Sequence, residues 1–184
     1  MLDLIPLCAL GATTPQEFRQ GALTLTEMPE TGLVSLTLRR GAARPALDLP
    51  EPGFWAAGAG HAAFWTGPGQ WFIELPGRAQ EDPLPYLAPQ APDCSLTEQT
   101  DGWVLFELQS SQGAGPIDAF LEHAVNLDLG KMGPGRATRS VIEHMGVYLL
   151  RRSDDRLAIW GMRSAAESLW HALTTLARRQ AARG

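Results

Sequence analysis

Apolar and polar residues alternate through residues 21–39, Gly-Ala-Leu-Thr-Leu-Thr-Glu-Met and then Thr-Gly-Leu-Val-Ser-Leu-Thr-Leu-Arg, on either side of Pro29-Glu30-Thr31-Gly32. A period of two around a turn predicts a β-hairpin, because successive side chains of a strand point to opposite faces. Residues 41–62 lose the alternation. They are rich in Ala, Gly and Pro, carry the breaker Pro50-Glu51-Pro52-Gly53, and read as a long irregular connection. The pattern resumes with two strands, Ala63 to Trp65 and Trp71 to Leu75, that flank Gly67-Pro68-Gly69. The proline-rich stretch from Pro83 to Pro92 leaves room for a short helix at most.

Beyond residue 94 the pattern is cleaner. Cys94 to Gln99 and Trp103 to Gln109 alternate about Thr100-Asp101-Gly102 and predict a second hairpin. Ile117, Phe120, Leu121, Ala124 and Val125 recur at helical spacing, and the glycines from Gly130 to Gly135 end that segment. Ala137 to His144, Val147 to Arg152 and Leu157 to Trp160 predict a three-stranded meander with turns at Met145-Gly146 and Ser153-Asp154-Asp155. A last helix starts at a capping box, Ser164 three residues before Glu167. It buries Ala165, Leu169, Ala172, Leu173 and Leu176, and sets Arg178 and Arg179 at its negative end. Strands followed by helices on short turns imply an α+β fold with antiparallel sheets and a few packed helices, in one domain over residues 1–184.

Composition excludes several classes. Hydrophobic residues make up 45% and charged residues 19%, which is not the signature of disorder. The net charge of -5 conceals a polarity: residues 1–130 hold 5 Lys/Arg against 16 Asp/Glu, whereas residues 131–184 hold 10 against 4. The arginines of the basic half stand singly or in pairs within apolar alternation, without interleaved aromatics, so nucleic acid is not an expected partner. No stretch reaches the roughly 20 apolar residues that span a bilayer. The apolar run from Met1 to Gly11 carries Asp3 and lacks the positive leader of a secretory signal. Cys8 and Cys94 are too few and too distant for a disulfide framework or zinc site, and a cytoplasmic protein is expected.

The polar candidates give no catalytic constellation. His61, His123, His144 and His171 are too far apart in sequence for a helical metal pair, and His144 beside Glu143 on a strand would point to the opposite face. Ser110, Ser111 and Ser140 lack the frame of a nucleophile elbow, and Cys94 has no basic neighbour to lower its pKa. No catalytic, cofactor-binding or metal-binding residue is therefore assigned. Gly130-Lys131-Met132-Gly133-Pro134-Gly135-Arg136 is the one loop able to cradle an anion, but it precedes a strand and lacks the phosphate-loop ending, so it reads as a connection. Of the tryptophans Trp55, Trp65, Trp71, Trp103, Trp160 and Trp170, most are expected in the core. Trp55, in the irregular connection, together with Lys131 and Arg136, makes the candidate partner interface.

Four segments carry a family likeness. They are Leu96-Thr97-Glu98-Gln99-Thr100-Asp101-Gly102-Trp103, Gly115-Pro116 at a helix start, Asn126-Leu127-Asp128-Leu129 at its end, and Arg163-Ser164-Ala165-Ala166-Glu167-Ser168-Leu169-Trp170-His171-Ala172-Leu173. Over roughly residues 63–178 the chain resembles the γ subunit of heterotetrameric sarcosine oxidase, while residues 1–62 match only in general character. Glu98 and Thr100 stand where the family's D-x-S-D-G strand turn has an acidic residue and Ser, and the Lys-Gly-Cys motif of related iron-sulfur maintenance proteins is missing. The resemblance implies a ferredoxin-like fold similar to the folate-binding domains of the glycine-cleavage aminomethyltransferase. It further implies a non-catalytic subunit in a complex with α, β and δ subunits that oxidises sarcosine to glycine, with FAD, FMN, NAD, tetrahydrofolate and zinc all in those partners. Two alternatives stay open: a stand-alone folate-binding or one-carbon-transfer protein, and a subunit of a complex acting on another N-methylated amino acid.

Overall fold

The computed structural model describes residues 5–181, so Asp3 of the N-terminal run lies outside the described residues. The alternating segments become strands β1 (Glu17–Gln20), β2 (Leu23–Glu27), β3 (Thr31–Leu38), β4 (Trp55–Ala57), β5 (Ala62–Gly67) and β6 (Gln70–Pro76). After the short helix α1 (Leu84–Leu87) come β7 (Cys94–Glu98), β8 (Trp103–Ser110), helix α2 (Ala114–Ala124), β9 (Ala137–Ile142), β10 (Met145–Ser153), β11 (Arg156–Met162) and helix α3 (Ala166–Ala181). They form two antiparallel sheets, one of six strands in the order β1-β2-β8-β11-β10-β9 and one of five in the order β4-β5-β6-β3-β7.

Both hairpins expected around Pro29 and Asp101 are corrected by the pairing. β2 lies between β1 and β8 in the six-stranded sheet, whereas β3 lies between β6 and β7 in the five-stranded one. β7 and β8 are separated in the same way. A period of two reports a strand but not its sheet, and each of these strands finds a better partner in the other crossing segment than in its sequence neighbour. β2 pairs with β8 and β3 with β7, so residues 23–38 and 94–110 cross together from one sheet to the other. Met28 N donates to Leu105 O at 2.9 Å, Gln99 N to Leu33 O at 2.8 Å, and Leu33 N to Thr100 Oγ1 at 3.0 Å across the crossing.

The meander and the β5–β6 hairpin form as expected. The first turn of the meander sits at Glu143 and His144 instead of Met145-Gly146, because Met145 already pairs with Ile142. Both turn residues have positive φ, 44° and 72°, the left-handed pair that a two-residue hairpin demands. The irregular connection contains one strand, β4, whose Trp55 pairs with Phe64. The capping box does not form. Ser164 is the middle residue of a 3-10 turn, Arg163–Ala165, that opens α3, and Ala166 replaces Ala165 on the buried face.

Three apolar layers follow from the alternation. Phe106, Leu108 and Ile159 on one face of the six-stranded sheet meet Ile117, Phe120, Leu121, Leu169 and Leu173 of α2 and α3. On its other face Leu105, Leu150, Ala158 and Trp160 meet Leu33, Phe64 and Phe72 of the five-stranded sheet. Val34, Leu36, Ile73 and Leu75 on that sheet's far side are covered by Leu87 of α1 and by Leu47 and Leu49 of the connection. Cys8 and Cys94 are buried and unpaired, and burial pushes both thiols above their ordinary pKa, as suits packed side chains.

Candidate functional site

Strand alternation aims a set of charged residues at the space between the sheets. Glu74 follows Phe72 on one face of β6; Glu107 follows Leu105 on β8, Arg152 follows Leu150 on β10, and Arg156 and Trp160 flank Ala158 on β11. Glu74 is 1% exposed and its carboxylate accepts from four N–H groups: Trp55 Nε1 at 2.9 Å, Trp160 Nε1 at 2.7 Å, and Arg152 Nη1 and Nη2 at 3.1 and 2.7 Å. Arg152 Nε also lies 3.4 Å from Glu107 Oε2, an ion pair that lacks hydrogen-bond geometry. Glu107 is held from the solvent side by Arg156, whose Nε donates at 3.0 Å and whose Nη2 makes a second, shorter contact. The guanidinium of Arg152 sits 5.1 Å above the ring of Trp55.

An isolated buried carboxylate costs several kcal/mol of desolvation, and a bidentate arginine with two indole donors is the kind of environment that offsets it. The cluster alternates in sign and runs outward from Glu74 to the half-exposed Arg156, ending in a cleft of 370 Å³ whose walls include Met28, Trp55 and Pro76. Every carboxylate and guanidinium in it has its counter-charge within the chain, which fits it to join the sheets.

The candidate interface residues fall beside this junction. Trp55 is half-buried and its indole N–H belongs to Glu74; the exposed ring is its neighbour Phe54, at 41%. Phe54 forms a β-bridge with Arg136, Ala137 N donates to Gly53 O at 3.0 Å, and Trp55 N donates to Gly135 O at 2.8 Å, so the edge of the five-stranded sheet is stitched to the start of β9. The Arg136 guanidinium lies 4.1 Å over the Phe54 ring. Gly53 beneath it has φ +82°, a conformation that side chains rarely adopt and that favours glycine there. Lys131 follows on the same rim in a 3-10 turn and pairs with Asp128 at 3.1 Å, both side chains well exposed. Lys131, Arg136, Asp128 and Thr138 line a cleft of 220 Å³. The structure thus gathers Trp55, Lys131 and Arg136 at one seam, with Trp55 facing inward and the two cations outward.

The remaining candidates disperse. His61 is buried with both ring nitrogens unpartnered, His123 Nδ1 lies 2.9 Å from Ala119 O, His144 occupies the meander turn and His171 is exposed on α3. Ser110 Oγ accepts from Gln112 N within its own turn, and Ser111 Oγ donates to Ala22 O, 89 residues away and just before β2. Among the described residues no three His, Cys, Asp or Glu side chains come together as metal ligands, and no helix is long and apolar enough to cross a membrane.

This architecture corresponds closely to solved structures. A chain of the heterotetrameric sarcosine oxidase from Corynebacterium sp. U-96, determined in complex with pyrrole 2-carboxylate, superposes with a TM-score of 0.72 at 21% identity, over 89% of this chain and 88% of that one. In fold the chain is similar to sarcosine oxidase. The glycine cleavage system aminomethyltransferase T from Bartonella henselae superposes with a TM-score of 0.58 at 17% identity, over 80% of this chain and 44% of that one, so the chain spans less than half of the transferase. No family model and no curated protein matches the chain in sequence. The α+β antiparallel architecture read from the sequence is therefore the sarcosine oxidase and aminomethyltransferase type of fold. Glu74 and its partners were not legible as a site: its donors come from residues 55, 152 and 160. Their signal is a charge at an inward position of a mostly apolar strand, negative in Trp71-Phe72-Ile73-Glu74-Leu75 and positive in Leu149-Leu150-Arg151-Arg152.

Proposed function

We propose that the chain is the non-catalytic γ subunit of a heterotetrameric sarcosine oxidase, a single domain that binds the α, β and δ subunits of a complex converting sarcosine to glycine. In this reading FAD, FMN, NAD, tetrahydrofolate and zinc reside in the partners, and Trp55, Lys131 and Arg136 mark a contact surface. The observation that carries it is the correspondence in fold over nearly the whole of both chains, which fits a subunit of the same shape and extent. The buried charge cluster supports it too, since Glu74, Arg152, Glu107 and Arg156 hold one another and serve to fix the two sheets. Co-expression with the α, β and δ chains is expected to give a complex that elutes as one species containing this chain. A fully active oxidase assembled without it would remove the essential role.

The likeness to the aminomethyltransferase favours a second reading, a folate-binding or one-carbon-transfer protein acting alone. Titration of the purified chain with tetrahydrofolate separates the two. Saturable binding supports the second reading, and none at about millimolar ligand ends it. A complex specific for another N-methylated amino acid would be recognised by assaying the assembled enzyme on a series of such substrates.

A further inference from the structure

The six-stranded sheet ends at β9, and one side of that strand is open. Gly53 and Phe54 cover the edge only as far as Ala137, so that from Thr138 to Ile142 no strand lies against it among the described residues. An unpaired edge presents a row of N–H and C=O groups ready to pair with another chain. Two features make this edge selective. Arg136 is half-buried, its Nε is shut off from solvent without a hydrogen-bond partner, and its guanidinium makes no ion pair among the described residues. Arg139, exposed on β9, makes no side-chain hydrogen bond or ion pair there either and rests loosely over Tyr148 at 6.0 Å. Alternation puts Ala137, Arg139 and Val141 on one face of the strand and Thr138 on the other, where Thr138 shares a cleft with Arg136 and Lys131. Positive charge therefore flanks the open edge above and below, next to exposed apolar surface at Val141 (56%) and Phe54 (41%).

We infer that the edge of β9 accepts an extended, acidic segment of a partner protein by strand addition. The backbone of that segment pairs with residues 138–142, a carboxylate on each face meets Arg139 and Arg136, and an apolar side chain on each face covers Val141 and Phe54. A second copy of this chain does not fit, because antiparallel pairing of two β9 edges would bring the same unneutralised arginines together. The inference rests on the subunit reading for the identity of the partner, but the edge chemistry stands apart from it.

The test is amide hydrogen exchange of the full chain, alone and in the complex co-purified with α, β and δ chains, together with the charge reversals Arg136→Glu and Arg139→Glu. Slowed exchange confined to 138–142 in the complex, with a loss of affinity of about tenfold or more for each reversal and a steep dependence on salt, is the expected result. Circular dichroism of each variant guards against a folding defect. A complex that forms with unchanged exchange on β9 and with variants binding like the parent overturns the inference and leaves the subunit reading intact. If no complex forms, the subunit reading fails, and a fluorescent peptide of repeating Glu-Glu-Val-Val, which carries carboxylates and apolar side chains on both faces of a strand, decides the inference separately. Binding that protects β9 and is not matched by a Lys-Lys-Val-Val repeat sustains it; equal or absent binding overturns it, as does a β9-protected homodimer.

Discussion

Two places in this molecule hold arginines beside aromatic rings at the meeting of the sheets, and they treat charge in opposite ways. Between the sheets, Arg152 lies over Trp55 with both ends of its guanidinium on Glu74 and its Nε near Glu107. At the seam, Arg136 lies over Phe54 and makes no ion pair among the described residues. The first arrangement is closed, since the chain itself supplies every counter-charge. The second is open, and its positive charge is available to something outside the chain. Burial decides which arrangement a fold can tolerate: an uncompensated charge in the interior costs several kcal/mol, whereas at the surface water screens it for almost nothing.

The contrast is broken most severely at Glu74. Glu74→Leu leaves both Nη groups of Arg152 and two indole N–H groups without their acceptor, with only Glu107 still near the guanidinium, and urea unfolding is expected to show a loss of about 3 kcal/mol. The double variant Glu74→Leu, Arg152→Leu should recover much of that loss, because it removes both charges together. A double variant no more stable than the single one would mean that Glu74 acts through packing alone. Next in size, Trp55→Phe keeps the ring under Arg152 but deletes one of the two donors to Glu74 Oε2, the other being Arg152 Nη1. A hydrogen bond to a buried charged group contributes about 1.5–3 kcal/mol, and a drop in that range by the same measurement is expected.

The same contrast explains what could be read in advance. Elements set by local periodicity were legible: α2 from Ile117, Phe120 and Leu121, α3 from Leu169, Ala172 and Leu173, and the meander of β9, β10 and β11. The crossings at Pro29 and Asp101 were not, because alternation is the same whether a strand pairs with its neighbour or with a distant one, as Leu23 does with Ser110 and Leu38 with Cys94. Glu74 illustrates the point for the site, since its donors arrive from three other strands. Trp55 was singled out for standing in an irregular stretch. In the fold its indole N–H belongs to the closed cluster, and the more exposed ring at the seam is that of Phe54 one position earlier.

A smaller, stabilising effect is expected away from both regions, at the turn between β9 and β10. Glu143 and His144 adopt positive φ without being glycine, which strains each of them. Replacing the pair by Asn-Gly, the sequence that such a turn favours, is expected to raise stability by about 1 kcal/mol. Thermal unfolding would show a rise of a few degrees, and no rise would mean that the carboxylate or imidazole has a contact that compensates the strain.

The smallest expected effect is the most telling for the open seam. Arg139 makes no side-chain hydrogen bond or ion pair among the described residues and lies only loosely over Tyr148, so Arg139→Glu should change the stability of the isolated protein by no more than about 0.5 kcal/mol in either direction, as for other exposed positions. Arg136→Ala additionally gives up its stacking on Phe54, a contribution of about 0.5–1 kcal/mol at an exposed site. Both are far below the cost at Glu74, though all three positions carry a charge beside the same pair of sheets. A loss of about 3 kcal/mol on removing Arg136 would show that the seam is as closed as the junction, its charge compensated inside the fold and not left for another chain. Near-neutral stability would mean that whatever keeps an unpaired guanidinium at this edge acts through what binds there.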